Sequence, residues 1–111
     1  MARHMRTSEK GVELVKSFEG FRARANQMPD GRWVIGHGHT RTARPGLKVS
    51  RADADLILRH HDLRVIEAVI HSRLFTPLSQ NEFDALVSFG FNLGKQAFEG
   101  SDVLSHLNTG D

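Results

Sequence analysis

The chain has 111 residues, of which 39 % are hydrophobic and 25 % charged, with a formal net charge of +2 and no cysteine. That size leaves room for a single globular domain over 1–111, and the missing cysteines exclude disulfides and thiolate metal sites. The basic residues are scattered without an aromatic-basic motif, and no apolar run is long enough to span a bilayer, so neither nucleic-acid binding nor membrane contact within this chain is expected.

The N-terminal Met1-Ala2-Arg3-His4-Met5-Arg6 is basic with no apolar stretch behind it, and does not read as a secretory signal. A first helix starts with Ser8 as its N-cap and Glu9 in its first turn. Val12, Val15 and Phe18 form its apolar stripe and Gly20 ends it. Glu19 then sits at the helix C-terminus, where the dipole disfavours a carboxylate and raises its pKa.

From Phe21 to Thr40 the helical period is absent. Pro29-Asp30-Gly31 predicts a turn between strands at 22–25 and 32–35, with Asp30 as a turn residue. Gly36 and Gly38 predict tight backbone, and Pro45-Gly46 closes the β region. Ser50, with Asp53 as capping-box partner, opens a long helix reaching about His71. Its apolar face is Leu56, Ile57, Leu63, Ile66, Val69 and Ile70, with a bend or break near His60-His61-Asp62. Ser79 and Glu82 form a second capping box. The helix behind it turns Phe83, Leu86, Val87, Gly90 and Leu93 inward and stops at Gly94. A short turn, Lys95–Glu99, leads to Ser101, the N-cap of a last helix that ends near Asn108 before Gly110.

Phe18-Glu19-Gly20, Trp33-Val34-Ile35-Gly36-His37-Gly38-His39-Thr40, Gln80-Asn81-Glu82-Phe83-Asp84-Ala85-Leu86 and Phe91-Asn92-Leu93-Gly94 occur in that order. The set resembles the phage-type lysozymes, the muramidases of glycoside hydrolase family 24, from about Ser8 to Asp111. The resemblance implies an α+β, lysozyme-like fold: a small antiparallel hairpin lobe, a long connecting helix and a helical lobe, with a cleft between the lobes. Family members continue with further helices. Either this sequence is a fragment or its second lobe is built differently, and a missing lobe would expose apolar faces on the last two helices.

The family carries a catalytic Glu, then an Asp, then a Thr, at positions that read Glu19, Met28 and Val34 here. Glycoside hydrolysis uses two carboxyl groups, one as acid and one as base or nucleophile. Glu19 matches the acid. Met28 is uncharged, and Val34 lacks the hydroxyl that would orient water. Asn26 and His37 also depart from the family pattern, Asn26 from a Tyr and His37 from an apolar or aromatic residue. Asp30 is either a turn residue or a substitute carboxylate; His37 lines the site or is structural, with a base at neutral pH as the alternative. His39 matches a family residue that packs the hairpin, hydrogen-bonded to an acid such as Asp62, although a metal site with His37 is an alternative. Asn92 matches a position that offers a polar side chain to the glycan. Asn92, Asp30 and His37 are therefore the candidate substrate-binding residues, and Asn26, Met28 and Val34 the candidate partner-binding ones. No cofactor and no metal are expected.

Gln27-Met28-Pro29-Asp30-Gly31-Arg32-Trp33 resembles the chromosomal muramidase-like domains of alphaproteobacteria. That resemblance implies a degenerate catalytic site and a cytoplasmic scaffold, tethered to the inner membrane through a region absent here. Such a domain self-associates and recruits a signalling kinase to one cell pole, with weak or no hydrolysis of peptidoglycan. Alternatives are an active lysozyme exported to the cell wall and a peptidoglycan-binding module.

Overall fold

The computed structural model describes residues 4–110, so Asp111 and the Met1-Ala2-Arg3 part of the N-terminal reading lie outside it. The chain divides into two compact units. One is the contiguous stretch Val15–Asp62; the other joins the segment that ends at Leu14 to the segment that begins at Leu63. The architecture is the expected α+β, with a two-stranded antiparallel sheet among helices.

Helix α1 (Glu9–Glu19) begins as its sequence predicts. The Ser8 hydroxyl oxygen accepts the Gly11 N–H at 3.3 Å, which satisfies one of the helix's free donors. Val12 and Val15 are buried, but Phe18 is 65 % exposed and does not belong to the stripe. A three-residue step falls short of a helical turn by about 60°, so two such steps carry Phe18 about 120° away from Val12.

In the contiguous unit, strands β1 (Arg22–Gln27) and β2 (Trp33–Gly36) pair with Asn26 opposite Val34 and Gln27 opposite Trp33. The hairpin turn is closed by Met28 N–H donating to the Arg32 carbonyl at 2.7 Å and Gly31 N–H to the Met28 carbonyl at 2.9 Å. Leu47–Val49 adds to the other edge of β1, since Ala25 N–H reaches the Leu47 carbonyl at 3.0 Å and Val49 N–H the Ala23 carbonyl at 2.8 Å. Past β2, Ile35 and His39 exchange two backbone hydrogen bonds of 2.9 Å around Gly36-His37-Gly38. Helix α2 (Arg51–Ile57) is capped by the Ser50 hydroxyl oxygen, which accepts Asp53 N–H at 3.1 Å. The break expected at His60-His61-Asp62 is a five-residue π-helical stretch, Leu58–Asp62. Leu56, expected on the apolar face, is 52 % exposed, because it lies two residues from both buried Ala54 and buried Leu58, on the opposite side of the helix.

The second unit holds α3 (Leu63–Arg73), α4 (Gln80–Leu93), α5 (Lys95–Glu99) and α6 (Val103–Thr109). The capping box at α4 is complete: Glu82 N–H donates to the Ser79 hydroxyl at 3.1 Å and Ser79 N–H to the Glu82 carboxylate at 2.8 Å. Phe83, Val87 and Gly90 face the core as predicted, whereas Leu93, in the last turn of α4, is 43 % exposed. Gly90 lets helices approach closely. A Cβ there would come within 2.7 Å of the Phe98 ring and 3.0 Å of Ile66. Lys95–Glu99, expected as a turn, is helical. Buried Phe98 anchors it and the Lys95–Glu99 ion pair of 3.1 Å spans one turn. Ser101 does not cap the last helix. Its hydroxyl donates back to the Phe98 carbonyl at 2.8 Å, and α6 starts at Val103 behind Asp102.

Two buried acids in this unit fasten the segment before α1. Glu67 Oε2 accepts the Thr7 N–H at 2.9 Å and the Thr7 hydroxyl at 2.7 Å. Asp84 accepts the Ser8 N–H at 3.0 Å and, through its other oxygen, the Ser8 hydroxyl. Gln80 Nε2 donates both to Asp84, at 2.9 Å, and to the Arg6 carbonyl, at 2.8 Å. On the face between α4 and α6, an apolar groove of about 340 Å³ is lined by Leu78, Leu86, Phe89, Val103 and Leu107, with Glu82 at its edge.

Candidate active site around Glu19

Glu19 is the last residue of α1 and is half-buried. Gly20 N–H closes the helix onto the Lys16 carbonyl at 2.8 Å, and the chain then turns directly into β1. The carboxyl of Glu19 packs against Gly38. A Cβ at Gly38 would lie 2.5 Å from Oε1 and 2.9 Å from Cδ, and the Gly38 φ of +82° admits only glycine without strain. Burial pushes the Glu19 pKa above the usual glutamate value, and the Arg22 charge pulls against it. The sequence predicted the same direction from the helix dipole; desolvation is the larger cause. A carboxyl whose pKa is raised is better suited to give a proton to a leaving oxygen.

His37 is buried. Its Nδ1 donates to the Gly20 carbonyl at 2.6 Å and its ring lies 5.5 Å from that of Phe21, tilted by 52°. Arg51 stacks on the same Phe21 ring at 4.3 Å. His39 meets the acid expected of it. Its Nδ1 lies 2.9 and 3.0 Å from the two Asp62 oxygens, and Nε2 is 2.7 Å from the Thr42 hydroxyl. Burial raises the Asp62 pKa, with His39 acting in the opposite direction. Among the described residues no group of His, Asp or Glu side chains could hold a metal ion, so His39 and His37 are used separately.

The hairpin residues differ in what they offer. Asn26 is exposed and Met28 half-buried. Val34 is only 5 % exposed and presents almost no surface to a partner. Asp30 is exposed, and its carboxylate is engaged by Arg32: Oδ1 accepts the backbone N–H at 3.0 Å and Oδ2 the Nε–H at 2.8 Å. Those bonds hold the Asp30 pKa below the ordinary aspartate value. Asn92 is exposed on α4, in the other unit. The sequence reading missed Glu67 and Asp84. Their signal was positional, because Glu67 falls on the Leu63–Ile66–Ile70 stripe and Asp84 beside Phe83 and Val87.

A family model described as phage lysozyme matches residues 16–111. The chain belongs to the phage lysozyme family. It is 40 % identical to an endolysin of Acyrthosiphon pisum secondary endosymbiont phage 1, over 96 % of this chain and 73 % of that one. It is 38 % identical to the endolysin of Salmonella phage P22, over 94 % of this chain and 74 % of the relative. Among solved structures it is similar to the muramidase domain of SpmX from Asticaccaulis excentricus. That match has 54 % identity and a TM-score of 0.83, covering 95 % of this chain and 71 % of that one. The two-stranded hairpin and its helices are thus a lysozyme-like fold. No helix among the described residues is long and apolar enough to cross a membrane.

Proposed function

We propose that this chain is a muramidase-fold domain whose hydrolytic site has lost its second carboxylate. In this reading it acts through its surfaces, as a self-associating scaffold that engages a protein partner, with little or no cleavage of peptidoglycan. The observation that carries the reading is the company of Glu19. By the resemblance, Met28 and Val34 stand where the family has its Asp and Thr, and Asp30, the nearest carboxylate in sequence, is taken up by Arg32. Removing one electrostatic stabiliser of a transition state costs on the order of 2.7–4 kcal/mol, a factor of about 10²–10³ in rate. The apolar groove beside Phe89 and the exposed Leu93 support a role for surfaces. By resemblance to the alphaproteobacterial domains, the partner is a polar signalling kinase and the location is cytoplasmic, at the inner membrane.

A turbidity assay on purified peptidoglycan, run beside an active phage lysozyme, tests the hydrolytic half. Lysis within tenfold of that enzyme would sink it. Multi-angle light scattering of the domain tests the other half: a monomer at every accessible concentration removes self-association. The second reading is an active lysozyme that cleaves the β-1,4 bond between N-acetylmuramic acid and N-acetylglucosamine. It is favoured by Glu19 itself, half-buried with a raised pKa as a proton donor requires.

A further inference from the structure

Among the described residues the Glu19 carboxyl accepts no hydrogen bond from the protein, and its place is set by packing against Gly38. The contact therefore depends on what holds the Gly36-His37-Gly38 turn to the end of α1. The β1–β2 ladder, which sets Arg22 opposite Gly36, does so in part, and one side-chain hydrogen bond adds to it. That bond joins His37 to Gly20, the chain neighbours of Gly38 and Glu19, and at 2.6 Å it is short for an N–H···O bond. A carbonyl only accepts, so Nδ1 carries the proton and the tautomer is fixed. The acceptor belongs to the residue just past the last turn of α1, where helices leave carbonyls without intrahelical partners.

We infer that His37 is a positioning residue for Glu19: its Nδ1–H clamps the hairpin turn to the end of α1 and so holds Gly38 over the carboxyl. This deepens the reading of Glu19 as the retained acid and rests on it for its functional meaning. The imidazole is buried, and Gly38 lies against one side of the carboxyl. Arg22 is the charged group that acts on Glu19 against that burial. In this inference His37 acts on the acid through the turn that it holds.

The test is an NMR titration of the Glu19 side-chain carbon, without substrate, in the wild type, His37→Phe and His37→Asn. Phe keeps the bulk against Phe21 and loses the donor; Asn places an amide N–H where Nδ1 stood. His37→Phe is expected to move the Glu19 titration down toward an ordinary glutamate, and His37→Asn to leave it as in the wild type. An unchanged His37→Phe, or a His37→Asn that shifts as far, overturns the inference. A nitrogen-15 spectrum of the wild-type imidazole checks it without any substitution: Nδ1–H at neutral pH supports the clamp, and Nε2–H alone refutes it. Because nothing here reads lysis, failure of the hydrolytic reading and failure of the clamp are distinguishable.

Discussion

Gly38→Ala perturbs the site where backbone and acid meet. At a φ of +82° an L side chain pays the left-handed penalty, about 1–2 kcal/mol. The usual benefit of Gly→Ala, about 0.4–1 kcal/mol through the unfolded chain, requires a compatible φ and is absent here. The new Cβ would also sit 2.5 Å from Glu19 Oε1 and 2.9 Å from its Cδ. Those atoms end a flexible side chain, so the carboxyl yields at small further cost by swinging toward water. The expected stability loss is about 1–2 kcal/mol, a fall in Tm of roughly 4–8 °C for a domain of this size. Relief of desolvation should lower the Glu19 pKa at the same time. Thermal unfolding by circular dichroism and a Glu19 carboxyl titration read the two effects. In a Glu19→Ala background most of the stability loss should persist, since the backbone strain remains. A Gly38→Ala protein with unchanged Tm and an unchanged Glu19 titration would refute the reasoning.

Three further outcomes are expected. The Glu19 pKa is raised in the folded state, so protonation favours folding. Its contribution is full below the unfolded value near 4.5 and is lost as pH rises through the folded one. Glu19→Gln should therefore be more stable than wild type at pH 7 and lose that advantage by about pH 3; urea midpoints that differ equally at both pH values would contradict this. Met28→Asp with Val34→Thr should raise peptidoglycan hydrolysis far more than either change alone, because both groups act on one water. A buried Thr hydroxyl left unpaired at position 34 costs about 1–3 kcal/mol, and a folded double variant with no gain in turbidity clearance would sink the idea. Gly90→Ala should lower the melting midpoint. Its helix-propensity gain of about 1 kcal/mol is outweighed by about 1–3 kcal/mol of overpacking against buried Phe98. Stabilisation by Gly90→Ala would mean that the Phe98 ring can move away.

Features written in local chemistry were legible from the sequence. The Ser79–Glu82 box, the Pro29-Asp30-Gly31 turn and the helix break before Leu63 need only neighbouring residues, and all three are present. The His39–Asp62 pair spans 23 positions yet was also anticipated, because a buried imidazole needs a partner and an acid lay on the next helix. Legibility failed where cover comes from distant chain. An apolar residue at helical spacing is inside only if something packs on it, which left Phe18, Leu56 and Leu93 outside. The α5 turn escaped because five residues carry no readable period. At the site, Glu19 was legible by its place at a helix end and in the family pattern. The His37–Gly20 bond was not, since a backbone carbonyl leaves no mark in the sequence.

The buried acids that fasten Thr7 and Ser8 have a consequence during synthesis. Ser8 leaves the ribosome 76 residues ahead of its partner Asp84. At about 5–20 residues per second that is a wait of roughly 4–15 s. The contiguous stretch Val15–Asp62 emerges complete within that interval, whereas the other unit has only its first strand of chain in hand. Nascent molecules of this protein thus pass through a stage in which the residues of the Glu19 hairpin are all available while Thr7 and Ser8 still lack their anchors.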